Sequence, residues 1–160
     1  MNIKCVIDSS TLISLAKIDV LYLLEKMNFS LVCPKEVYTE TVSLAILHGY
    51  PEGIEIKKLF DTRKIVTDTI DAPHMKGISA IDSKVIHLAK KINAIVLAND
   101  VLLRRNAITL DLSVCGSPDI LSMSKEKKFI SDLEFIVKIK ELVLRSRLSE
   151  KTANEYLKGD

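Results

Sequence analysis

Four carboxylates stand at four separate element boundaries: Asp8 in Val6-Ile7-Asp8-Ser9-Ser10, Glu40 in Pro34-Lys35-Glu36-Val37-Tyr38-Thr39-Glu40, Asp82 in Gly77-Ile78-Ser79-Ala80-Ile81-Asp82, and Asp100 in Val96-Leu97-Ala98-Asn99-Asp100. Oxygen donors with no histidine or thiol beside them suit hard divalent cations such as Mg²⁺ and Mn²⁺ better than zinc. If the fold gathers these acids, the chemistry open to them is metal-assisted hydrolysis. Electrostatics points the same way, because three or four packed negative charges raise one another's pKa values and cost stability unless cations neutralise them. Singly, each acid has a plainer use. Asp8 can cap a helix, Asp82 can pair with Ser79 and complement a helix dipole, and Glu40 can be a solvated helix residue. Asp100 is harder to dismiss, since it closes a strongly apolar strand.

The elements that must position these acids alternate in type. Cys5-Val6-Ile7 reads as a strand ending at Asp8, and Leu12, Ile13, Leu15 and Ala16 carry helical spacing after it. A short helix over 19–27 precedes a second strand, Phe29 to Cys33, which Pro34 stops while opening a third helix that runs to about Leu47. Gly49-Tyr50-Pro51-Glu52-Gly53 is a turn, Ile54 to Phe60 a helix, and Lys64 to Thr67 a third strand. Ser79 starts a helix with Ile81, Val85, Leu88 and Ile92 on one face. Ala94 to Ala98 is a continuous apolar run of the kind buried on both faces of a parallel sheet. A helix from Val101 to Ala107 leads to a fifth strand, Leu112 to Cys115, which Gly116-Ser117-Pro118 terminates. Ser131-Asp132-Leu133-Glu134 is a capping box for a helix to about Leu144, and Ser149 caps one more.

Strands alternating with helices predict an α/β fold with right-handed crossovers. In such sheets ligands bind beyond the carboxyl ends of the strands, where the strand order reverses. Asp8 and Asp100 follow two strands directly, Asp82 lies in the first turn of its helix, and Glu40 sits one turn beyond the inward-facing Val37. All four can reach that edge.

Composition narrows the setting. The 160 residues suit one domain, with 48% hydrophobic and 28% charged residues, ordinary values for a globular protein. No apolar run approaches the ~20 residues that cross a bilayer, and the N-terminal apolar stretch is too short for a secretory signal. We therefore expect a cytoplasmic protein with no membrane association. Cys5, Cys33 and Cys115 are odd in number and widely spaced, which predicts buried reduced thiols. The net charge of +2 neither requires nor opposes a polyanionic partner. His48, His74 and His87 show no metal-ligand spacing, and the scattered tyrosines and phenylalanines offer no base-stacking platform.

Val6 to Ile13, Pro34-x-x-Val37-x-x-Glu40, Ile78-Ser79-Ala80-Ile81-Asp82 with Leu88-Ala89, and Leu97-Ala98-Asn99-Asp100, in this order and spacing, resemble the PIN-domain nucleases, including the VapC-type toxin ribonucleases. The resemblance spans about residues 3 to 121, and the tail looks like that of a prokaryotic PIN subgroup. It implies a three-layer α/β/α sandwich around a five-stranded parallel sheet of order 3-2-1-4-5. Residues 1–124 would form the PIN-like nuclease domain, and 125–160 a helical extension packed on it. It implies an Mg²⁺- or Mn²⁺-dependent endoribonuclease that leaves a 5′-phosphate, with Asp8, Glu40, Asp82 and Asp100 as catalytic metal-binding acids and Ser10 supporting the first of them. Arg104 and Arg105, one helical turn past Asp100, are candidates for flanking phosphates. If the protein is a toxin, a small antitoxin partner is expected, with the excursion Val42 to Phe60 as its docking candidate. Homodimerisation is a further expectation. One departure stands out: the family often has Ser or Thr two residues before its last acid, where this chain has Ala98. That departure is the best support for the alternative, a catalytically weak or inactive PIN-like module that binds RNA or protein. A receiver-like phosphorylation switch fits worse, for want of a second acid after the first strand and a lysine after the fifth.

Overall fold

The computed structural model of the protein describes residues 2–159. β1 (Ile3–Ile7) runs into α1 (Ser9–Lys17) and the short α2 (Tyr22–Lys26). β2 (Phe29–Pro34) leads through α3 (Lys35–Tyr38), a π-helical segment (Thr39–Leu44) and α4 (Ala45–Leu47) to α5 (Glu52–Asp61). β3 (Ile65–Asp68), α6 (Ala80–Ile92), β4 (Ile95–Leu97), α7 (Val101–Thr109) and β5 (Val114–Cys115) complete the alternation. The tail is α8 (Ser117–Glu126), α9 (Asp132–Arg145) and α10 (Glu150–Leu157). The strands form one parallel sheet in the order β3-β2-β1-β4-β5, the order expected from the resemblance.

A parallel sheet must be covered on both faces, and the central strands show why this one can be. Cys5, Val6 and Ile7 of β1 and Val96, Leu97 and Ala98 at β4 are fully buried. Right-handed crossovers put α1 and α5 on one face and α6 and α7 on the other. In keeping with this, α6 touches β1, β2, β4 and α7, while α1 touches α5, α8 and α9. The tail belongs to the same core. Phe135, Ile139 and Leu142 of α9 are buried with the sheet residues in one cluster, and Lys138 Nζ and Arg145 Nη1 donate to the carbonyls of Ile18 and Lys17 just beyond and at the end of α1. A division at 124/125 would pass through α8.

Two local differences from the sequence expectations bear on the site. The helix expected from Pro34 to Leu47 contains the π-helical segment. Thr41 and Val42 of this segment are buried, as is Val37 of α3; Val37 and Thr41 keep the ordinary four-residue spacing, while Val42, five residues on from Val37, falls off that α-helical face. Thr39 and Thr41 donate their hydroxyls to the carbonyls four residues back, a contact that loosens the regular helical ladder. The second difference concerns Gly116-Ser117-Pro118, which ends β5 and also starts α8. Gly116 is the N-cap, Pro118 stands in the first turn, and Asp119 Oδ2 accepts the Gly116 N–H at 2.7 Å. Proline and an acid in the first turn, followed by Ile120 and Leu121, are helix-start signals.

Smaller adjustments follow from pairing. Pro34 is the last residue of β2, opposite Asp68 of β3 and beyond Val32, where the pairing with β1 ends, so its missing N–H costs no ladder bond on the β1 side. Cys5 and Cys33 are fully buried free thiols, pushed up to about 12 chiefly by burial. Cys115 is free and partly buried. No helix among the described residues is long and apolar enough to cross a membrane.

Candidate active site

β1 and β4 are neighbours in register, Ile7 opposite Leu97, and the sheet order reverses between them. Their chain ends therefore open onto the crevice where parallel sheets bind ligands. Asp8 leaves β1 with its own N–H donating to Leu97 O at 3.1 Å. Its Oδ1 then accepts the Thr11 N–H at 2.9 Å and its Oδ2 the Ser10 hydroxyl at 2.7 Å. Asp100 leaves β4 in the same manner, its Oδ1 accepting the Leu103 N–H at 2.9 Å. Both aspartates are N-caps, and the capping holds each carboxyl at the mouth of the crevice.

Asp82 enters from α6, where Ser79 caps the helix by accepting the Asp82 N–H at 3.0 Å. Glu40 enters from the π-helical segment, and its Oε2 accepts a hydrogen bond from the Ser9 hydroxyl. These four acids, with Ser9, Ser10 and Ser79, line one cavity of about 210 Å³. The structure thus brings together all four acids singled out in the sequence, on four different elements.

The electrostatics of the cavity are those of a crowded anionic site. Asp8 is only 4% exposed, and burial pushes its carboxyl up to about 6, against the pull of its Ser10 and Thr11 hydrogen bonds and with help from the Asp82 charge. Burial also raises Asp82, opposed by Ser79 and reinforced by the charges of Asp100 and Glu40. An all-oxygen set of carboxylates and hydroxyls is the donor chemistry of a hard divalent cation, and the raised carboxyls are the cost such a cation would offset. Among the described residues no group of three or more His, Cys, Asp or Glu side chains is placed to hold a metal ion by itself. Mg²⁺ keeps several of its waters when bound, so the four acids would hold it partly through water. The residues present fit the ion.

The remaining sequence candidates sit beside the cavity. Ser10 holds Asp8, as expected, and its oxygen also accepts the Asn99 N–H at 3.3 Å. Ala98, where the family often has a hydroxyl, is wholly buried, and its carbonyl accepts Arg104 Nη1 at 2.8 Å. Arg104 is therefore partly committed to β4, while Arg105 is exposed; both line a larger groove next to the cavity. Sequence reasoning passed over two residues. Ser9 grips Glu40, and Asn99 clamps α8 to the end of β4, its Oδ1 accepting the Ser117 N–H at 2.7 Å and its Nδ2 donating to Ser117 Oγ at 2.8 Å. Ser9 was visible as one more hydroxyl in the first turn after Asp8. Asn99 carried no local signal, since its partner is 18 residues away.

A five-stranded parallel sheet of order 3-2-1-4-5 with four acids at its switch point defines a class. A family model, DUF3368, described as a PIN domain, matches residues 4–159, and the chain belongs to this PIN-domain family. PIN domains are generally nucleases, and they usually use divalent metals. Among solved structures, the chain is similar to a PilT N-terminus domain protein, SSO1118, from the hyperthermophilic archaeon Sulfolobus solfataricus P2. The TM-score is 0.55 at 20% identity, over 76% of this chain and 93% of that one, a likeness of fold. No curated protein matches the chain.

Proposed function

We propose that this protein is a divalent-metal-dependent endoribonuclease, with Asp8, Glu40, Asp82 and Asp100 as its catalytic metal-binding acids and Mg²⁺ or Mn²⁺ as its cofactor. The observation that carries the reading is the convergence of four carboxylates from four elements on one cavity at the switch point. An inert scaffold gains nothing from burying Asp8 beside Asp82. When bound, a divalent cation supplies charge neutralisation and polarises the phosphate oxygens.

The chain's own residues supply the positioning. Thr11 and Ser10 fix both oxygens of Asp8, and the Leu103 N–H fixes one oxygen of Asp100, so these two central ligands keep their geometry without substrate. Ser9 holds one oxygen of Glu40 and leaves the other to orient water. Asp82, whose carboxyl is raised by burial, lines the same cavity and would accept the proton of the attacking water. The water oxygen bonds to phosphorus as the P–O3′ bond breaks, and the departing O3′ takes a proton from solvent, leaving a 5′-phosphate and a 3′-hydroxyl. Arg104 and Arg105 line the adjoining groove and would contact the flanking phosphates in this reading.

A toxin role with a small antitoxin, or pairing with a second copy, is part of the same reading. Leu44, Ile46, Leu47, Tyr50 and Ile54 expose apolar surface on the 42–60 excursion, which supports a protein partner there. The test of the catalytic reading is RNA cleavage with Mn²⁺ or Mg²⁺ by wild type and Asp8→Asn. Wild type cuts and the variant falls by orders of magnitude; equal activity removes the mechanism and leaves a binding module.

A further inference from the structure

The acid-lined cavity opens into a larger groove of about 1020 Å³, and the two share Ser9, Ser10, Glu40 and Asp100. Its lining comes from α1, α7, the start of α8 and the segment from α9 into α10. Four cations line it: Lys17 on α1, Arg104 and Arg105 on α7, and Arg147 between α9 and α10. None of the four forms an ion pair among the described residues. Away from Glu40 and Asp100, the one carboxylate on the groove among the described residues is Asp119. Its oxygens are occupied by the Gly116 N–H at 2.7 Å and the Tyr156 hydroxyl at 2.6 Å. The groove is thus anionic at the end it shares with the acids and cationic beyond it.

The cationic part is built rather than accidental. The tail is fastened across α1 by the Ser14–Ser146 hydroxyl contact at 2.7 Å, by Arg145 Nη1 on Lys17 O at 3.2 Å, and by the buried Leu142. Those contacts hold the segment carrying Arg147 against the end of α1 that carries Lys17.

We propose that the C-terminal tail is part of the substrate site. In this proposal the groove holds the sugar–phosphate backbone of a single RNA strand beside the bond cut in the acid cavity, with Lys17 and Arg147 as phosphate contacts. The proposal rests on reading the acid cavity as a nuclease centre. Single-stranded RNA fits the observations better than a duplex. The groove has the volume of a site that encloses a small molecule, room for a few nucleotides, whereas duplex RNA is bound across a broad surface by the shape of its helix. The cations contact backbone, so binding is sequence-tolerant and strongly salt-dependent.

The test is equilibrium binding of a short labelled single-stranded RNA in EDTA, where metal-dependent cleavage is silent, across a range of salt. Lys17→Gln and Arg147→Gln each weaken binding about 5-fold at 0.1 M salt and take about 0.7 off the slope of log K against log salt; together they cost about 25-fold and about 1.4. Lys127→Gln, an exposed lysine outside the groove, matches wild type. The proposal is overturned if the double variant binds like Lys127→Gln, or if duplex RNA binds as tightly with the same losses. Cleavage by wild type with Mn²⁺ is scored separately: binding losses without any cleavage would uphold the groove and remove the nuclease reading alone.

Discussion

Replacing Asp8 by asparagine should stabilise the metal-free protein, by an amount that depends on pH in a calculable way. The Asp8 carboxyl sits at about 6 in the folded chain against an ordinary value of 3.8, because it is buried beside Asp82. At about 1.4 kcal/mol for each pH unit of displacement, ionised Asp8 costs the fold about 3 kcal/mol. The sign follows from proton linkage. Below 3.8 the carboxyl is protonated in both folded and unfolded chains and costs nothing. As pH rises through the window from 3.8 to about 6, the unfolded chain ionises first and stability is lost; above about 6 the loss is complete. Asparagine keeps the N-cap and does not titrate. The advantage of Asp8→Asn over wild type should therefore grow by about 2 to 3 kcal/mol between pH 4 and pH 7.5. Urea unfolding of both proteins in EDTA at the two pH values measures it, and the difference between them cancels most of the other titrating groups. Adding Mn²⁺ at pH 7.5 should stabilise wild type and leave the variant nearly unmoved. A difference that stays flat with pH would refute the claim that Asp8 is a strained buried carboxylate, and with it the physical case for a cation at this site.

Other perturbations probe the supports of the site. Ser10→Ala removes a hydrogen bond to Asp8 and should lower Mn²⁺-dependent RNA cleavage by about 10- to 100-fold while costing about 1 kcal/mol of stability, read by cleavage rate and urea midpoint. Asn99→Ala frees Ser117 from β4; the expected loss is about 1 to 3 kcal/mol, and an unchanged midpoint would mean the clamp has no structural role. In Gly116→Ala the new methyl would meet Arg104 Nη1 at 2.9 Å and Asn99 Oδ1 at 3.0 Å, so destabilisation of about 1 to 3 kcal/mol should appear in the same assay. Ser9→Ala leaves Glu40 without its hydroxyl partner and should reduce cleavage with little change in thermal midpoint, since both residues lie at the surface of the cavity.

Much of the framework was legible along the chain because its signals are local. Apolar runs ending in Asp8 and Asp100, the Ser79 and Ser131 caps and the spacing of Val85, Leu88 and Ile92 all act within a few residues, and the capping box at Ser131 and Glu134 is present as read. The π-helical segment was not legible, because Val37 and Thr41 keep the ordinary four-residue helical spacing and no residue signal marks the wider turn over Thr39–Leu44. The start of α8 is a different case: Gly116-Ser117-Pro118 ends a strand and begins a helix with the same residues, so the helix-start signals of Pro118 and Asp119 overlap what reads first as a strand terminator.

The sequence by itself determined which residues are acids, that each closes or opens an element, and that strands and helices alternate, since these depend on residue chemistry and short-range sterics. Only the tertiary structure decided that the four carboxylates share a cavity, that Asp8 is buried enough to be raised to about 6, and that Ser9 and Asn99 hold their partners. The tail's placement of Arg147 on the groove with Lys17 belongs to the same level. Strand order makes neighbours of residues separated by dozens of positions, and burial and charge repulsion arise only from that proximity.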